Sequence, residues 1–112
     1  MKNSMSNIIE SSKTFLPVKS IEYADGSVVS KTILKKSTGN ITLFAFDKNE
    51  GLAEHSSPFE ALVQLLDGNA EITIGGNLYN LQSGESIILP ANIPHSLKAK
   101  EKFKMMLTMI KS

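Results

Sequence analysis

EGLAEHSSPFEALVQLLDG, residues 50–68, and its downstream partner GESIILPANIPH, residues 84–95, decide how this chain reads. Each holds one of the two histidines, His55 and His95, beside a β-like apolar run. A fold that brings the two segments together therefore makes one site of them. Taken alone, two such distant histidines are more often satisfied core or surface imidazoles than joint metal ligands.

Working outward, 112 residues with a 41% apolar fraction suit one globular domain with a single core. Twelve Lys and Arg against eleven Asp and Glu leave a formal charge of +1. That balance lacks the cationic excess by which nucleic-acid binders neutralise phosphate, so no nucleic-acid partner is expected. The absence of cysteine excludes a disulfide framework, a thiolate zinc site and a cysteine nucleophile. MKNSMSNIIESSKTF does not sustain the apolar run of a signal peptide, and no later stretch approaches the ~20 apolar residues of a membrane span. The expectation is a cytoplasmic protein without a membrane partner.

Residues 1–20 read as an N-terminal arm and 21–112 as the folded domain. The arm is Ser- and Asn-rich, with one apolar pair, Ile8-Ile9, ahead of Pro17. Beyond it, β-branched and aromatic runs alternate with turn signals at Asp25-Gly26, Thr38-Gly39-Asn40, Asp67-Gly68-Asn69, Gly75-Gly76-Asn77 and Ser83-Gly84. This rhythm predicts an all-β sandwich or barrel. Strands are expected near 28–35, 41–46, 61–66, 70–74, 78–81, 86–89, 96–100 and 103–110, with the clearest hairpin at Gly75-Gly76-Asn77. ITLFAF is apolar on both faces, which in a domain with one core points to a second subunit on the outer face and hence to a homodimer. Lys98, Lys100, Lys102 and Lys104 fall at alternate positions and read as a solvated stripe. Met105, Met106 and Met109 read as gap-filling core residues, with the lining of an apolar cavity as the alternative.

The two histidine segments resemble the two motifs of the cupin superfamily, small jelly-roll β-barrels also described as double-stranded β-helices. The first motif, a Gly followed by His-x-His, a Glu and a closing Gly, is similar to Gly51, His55-Ser56-Ser57, Ala61 and Gly68. The second, Gly, Pro-x-Gly and His, is similar to Gly84, Pro90-Ala91-Asn92 and His95. Asn92 stands where the family has glycine, and asparagine still tolerates a left-handed backbone. The resemblance covers roughly residues 40–110. It implies a divalent transition metal (Zn, Ni, Fe or Mn) held by three histidines and a glutamate. By position only His55 and His95 remain, because Ser57 and Ala61 replace the other two ligands. A serine hydroxyl is a weak ligand near neutral pH and alanine is none, so half the coordination shell is missing. Glu60 adjoins the vacant position but points to the opposite face by strand parity, unless Pro58 bends the chain. Glu54 meets the same objection.

Other chemistries fare worse. A facial-triad iron site needs a well-placed carboxylate. Neither Tyr23 nor Tyr79 shows a link to the histidines as an acid partner. Ser57, two residues from His55, has no elbow to expose it as a nucleophile. The reading is thus a homodimeric small-molecule-binding barrel whose pocket polar groups are His55, Ser57 and His95. Its walls are Ala61, Val63 and Leu65, and Ala61 in place of Glu favours a neutral or partly apolar ligand. The alternative is a weakly metal-dependent enzyme, an oxidase, dioxygenase or isomerase, using His55 and His95. A third reading is a regulatory dimer with a vestigial pocket.

Overall fold

Eight strands and one turn of 3-10 helix at Pro17–Lys19 make up the computed structural model, which describes residues 9–112. In chain order they are β1 (Val28–Lys36), β2 (Gly39–Phe46), β3 (Gly51–His55), β4 (Glu60–Ile74), β5 (Asn77–Gln82), β6 (Ser86–Leu89), β7 (His95–Lys98) and β8 (Phe103–Ile110). Most of the expected arm is within this range, but residues 1–8, including Ile8 of the apolar pair, lie outside the described residues.

β4 determines the architecture. Its first half, EALVQL, alternates exposed or half-buried with buried side chains, and so does its last third, AEITI. The inward residues are odd-numbered in one part (Ala61, Val63, Leu65) and even-numbered in the other (Ala70, Ile72, Ile74). One extra residue between them accounts for that inversion. The register on β8 slips between Leu65 and Asp67, and Gly68 sits at φ +79°. The two strands expected at 61–66 and 70–74 are therefore one bulged strand. Asp-Gly-Asn supplies the positive φ that a turn requires, and a bulge uses the same chemistry. Any side chain at Gly68 would also run into the Lys102 carbonyl of the neighbouring strand's approach.

The bulge carries β4 from one wall to the other. Its first half lies between β8 and β6, completing a five-stranded wall in the order β1-β2-β8-β4-β6. Its second half lies between β7 and β5, giving the facing wall β3-β7-β4-β5. All pairings are antiparallel, and the result is a jelly roll. Between the walls, Phe46 and Phe103 stack with ring centroids 4.5 Å apart, packed with Val63, Ile72, Leu97 and Met105. Met105 thus fills the core as a soft, adaptable side chain.

A second apolar cluster lies on the outer face of the five-stranded wall. Leu43 and Ala45 of β2 are fully buried there under Ile21, with Tyr23, Val29, Ile33, Leu66 and Met106 around them. The outward face of ITLFAF is thus largely covered by the chain's own residues. The covering segment is tied down by polar contacts. Lys31 donates to the Ser20 carbonyl at 3.2 Å, Lys104 to the Val18 carbonyl at 2.7 Å, and Tyr23 to the Asp67 carboxylate at 2.7 Å. Residues 17–20, read from sequence as the end of the arm, are part of this cover.

Lys104 corrects the reading of the lysine stripe. Lys98, Lys100 and Lys102 are exposed, but Lys104 is buried, with its ammonium over the Tyr23 ring at 5.0 Å. Its long stem crosses apolar surface and its head finds a carbonyl and an aromatic face.

Candidate functional site

β3 is the strand that the turn-rich reading passes over, and it is the one that creates the site. It pairs antiparallel with β7, Gly51 opposite Lys98 and Leu52 opposite Leu97. A side chain at position 51 would collide with the Leu97 carbonyl, so the glycine permits this close approach. After a register shift, the last residue of β3 and the first of β7 face each other, and these are His55 and His95. Their rings meet edge to face with centroids 4.4 Å apart.

Each imidazole is oriented by the backbone just before it. The His55 Nδ1 lies 2.8 Å from the Ala53 carbonyl, and the His95 Nδ1 lies 3.2 Å from the Ile93 carbonyl. A carbonyl oxygen only accepts, so both Nδ1 atoms carry the proton in the neutral rings. That leaves the lone pair on Nε2 in each. These two carbonyls are the functional groups that sequence reasoning misses, since a backbone oxygen has no residue identity to read. His95 is 6% exposed and His55 is open to solvent. Burial pushes the His95 pKa below the usual imidazole range, and the neighbouring His55 adds to that against the opposing pull of the Ile93 carbonyl. His95 is thus neutral at pH 7.

The loop after β3 and the turn before β7 are fastened together. Asn92 takes φ +67°, the left-handed conformation expected of it, and its N–H donates to the Ser57 carbonyl at 2.7 Å. The Pro94 carbonyl accepts from the Gly75 N–H at 2.8 Å, anchoring the other end of the turn to the β4–β5 hairpin. The Ser57 hydroxyl oxygen accepts from the Phe59 N–H at 3.2 Å, which turns the side chain into its own loop. Among the described residues no direct hydrogen bond joins it to either imidazole.

The other expected residues divide by strand parity. Ala61, at the vacant glutamate position, is 7% exposed on the inward face of β4, while Val63 and Leu65 behind it belong to the packed core. Glu60 is exposed on the opposite face, and Pro58 does not disturb the count, because β4 pairs regularly with β8 from Glu60 to Leu65. It lines a cavity of about 230 Å³ with Pro58, Phe59, Ala91, Ile110 and Ser112. Glu54 is exposed as well. Among the described residues no third His, Asp or Glu joins the two imidazoles in a group able to hold a metal. Two neutral nitrogens fall short of the three protein ligands usual even for an open catalytic zinc, so the residues present do not fit a resident metal centre. Tyr23 is hydrogen-bonded to Asp67 on the outer wall, and Tyr79 is half exposed on β5. Neither supplies an acid to the pair.

Among the described residues no helix is long and apolar enough to cross a membrane. In sequence, a cupin domain model matches residues 42–111. No functionally curated protein matches the chain. Among solved structures it is similar to a conserved protein of unknown function from Streptococcus pyogenes, with 36% identity, 93% and 91% of the two chains covered and a TM-score of 0.88. It is also similar to a cupin superfamily protein from Desulfitobacterium hafniense, at 24% identity, 95% and 96% coverage and a TM-score of 0.87. A third likeness is to a cupin 2 conserved barrel domain protein from Leptotrichia buccalis, at 40% identity and a TM-score of 0.78, covering 81% of this chain and 44% of that one.

Proposed function

This chain belongs to the cupin family, and from that premise we propose that it binds a small, uncharged organic molecule at the His55–His95 pair. The observation that carries the proposal is the pair itself: two imidazoles in contact, each with its Nδ1 proton engaged by the backbone and its Nε2 lone pair without a partner among the described residues. Two adjacent acceptors select a ligand that brings N–H or O–H donors. With Ala61 in place of a carboxylate, the inward face of β4 is apolar at that position, which suits a ligand that also carries hydrocarbon.

The test is a thermal-shift screen of metabolite mixtures followed by titration of the active component. At a hundredfold excess over Kd, binding stabilises the fold by about 2.7 kcal/mol, a rise of roughly 10 °C in Tm for a domain of this size. We expect such a rise with at least one neutral compound and its loss in His55→Ala and His95→Ala. Absence of any shift would leave the pocket vestigial. The second reading, a weakly metal-dependent enzyme, rests on the same two Nε2 atoms. Stoichiometric zinc or nickel binding lost in His55→Ala would favour it and count against the neutral-ligand reading.

A further inference from the structure

The ladder of strands that runs β1-β2-β8-β4-β7-β3 does not close on itself, since among the described residues no backbone pairing joins β1 to β3. The barrel is open along that side. One lip of the opening is β3, whose exposed His55 stands against the buried His95 of β7. The other lip repeats this arrangement with hydroxyls. Thr32 of β1 is exposed, and its register partner Thr42 on β2 is 8% exposed, with the two Oγ1 atoms 3.1 Å apart. Both pairs face inward. Thr42 shares the face of β2 that sends Phe44 and Phe46 against the core, and His95 shares the face of β7 that sends Leu97 there. Phe44 on one wall and Leu52 on the other are inward but only half-buried, so each leaves apolar surface in the gap.

We infer that the Thr32–Thr42 pair is a second anchor for the ligand held by the two histidines, and that this ligand is a neutral hydroxycarbonyl compound. The inference rests on the reading of the histidine pair given above and adds the other end of the molecule. In a pair of hydroxyls one proton is engaged between the two oxygens, whichever of them donates. The second proton has no partner among the described residues. A free O–H selects an acceptor, and a carbonyl oxygen is an acceptor with no proton of its own to place. The imidazoles make the opposite demand, since their Nε2 lone pairs select a donor such as a hydroxyl. A carboxylate is disfavoured at that end, where it meets lone pairs instead of donors. Facing walls lie about 10 Å apart, less the side chains that project between them, so a short run of carbon atoms spans the two anchors. Phe44 and Leu52 give that hydrocarbon its contact surface.

An NMR titration of the isotope-labelled full chain with hydroxyalkyl methyl ketones, from hydroxybutanone to hydroxyheptanone, tests the assignment. The matching simple alcohols and methyl ketones serve as single-ended controls. We expect at least one two-ended compound to move the His55, His95 and Thr42 signals together and to bind about tenfold more tightly than its parent alcohol, the gain from one hydrogen bond at the threonine end. The double variant Thr32→Val/Thr42→Val should abolish that gain and leave the affinity for the parent alcohol unchanged, while Thr32→Ser/Thr42→Ser retains the gain. Valine has the shape of threonine and suits a strand, and an unchanged Tm confirms that the variants fold. The comparison of two-ended with single-ended compounds needs no variant, so the inference can fail on the wild type alone. Alcohols that move the imidazole signals, with no gain from the added carbonyl, overturn the threonine anchor and leave the histidine reading standing. So does a gain that persists in the double valine variant. Silence of both imidazoles toward every compound also overturns the inference, and the thermal-shift screen then decides the histidine reading separately.

Discussion

At the scale of single residues, His95 combines the features that matter most. It is nearly buried, its Nδ1 proton is engaged by the Ile93 carbonyl, and its ring meets the edge or face of His55. Because its pKa is lowered in the folded state, protonation favours the unfolded chain. The sign follows: its contribution to stability is whole above about pH 6.5, the unfolded value, and is lost as pH falls below that toward the folded pKa. Urea unfolding between pH 7.5 and 5 should therefore show the wild type losing up to about 1.4 kcal/mol per pH unit from this group. His95→Asn should show a shallower decline over the same interval. Equal slopes would mean that the imidazole protonates as easily folded as unfolded.

At the scale of elements, β4 and the segment before β1 carry most of the information. Replacing Gly68 by Val forces a β-branched residue to positive φ and drives its Cβ against the Lys102 carbonyl. A loss of at least about 2 kcal/mol is expected, read as a lower denaturation midpoint. Removing residues 1–20 should be as damaging, because it strips the Val18 and Ser20 carbonyls from Lys104 and Lys31 and so loosens the Ile21 segment that covers Leu43 and Ala45. A drop of about 3 kcal/mol, or insoluble protein, is the expected result. An unchanged Tm would show that Ile21 and Tyr23 cover the face unaided. Much of this level is legible in the sequence, since β1, β6 and β8 lie where β-branched runs meet turn signals. The continuity of β4 is not, because Asp67-Gly68-Asn69 has the same local chemistry in a turn as in a bulge. Nor is the burial of Lys104, which depends on a carbonyl 86 residues away in sequence.

At the scale of the whole molecule, the resemblance of two short motifs is enough to bring His55 and His95 together, because their spacing encodes which strands become neighbours. The same pattern places Asn92 in its left-handed turn and Ala61 on the inward face. What the motifs leave out is the arrangement of backbone oxygens that sets the two rings, and the threonine pair on the opposite lip of the barrel. Both arise from strand register, which no single segment contains.

The passage of one strand through both walls also governs how the protein can come apart. A sandwich built from two separate sheets has a seam along which one layer can peel from the other. Here any such parting must tear a continuous backbone ladder on either side of Gly68. The histidine pair, hung from β7 beside the second half of that ladder, is thereby tied to a strand that both walls share, so the ligand proposed for it would meet a frame and not a hinge.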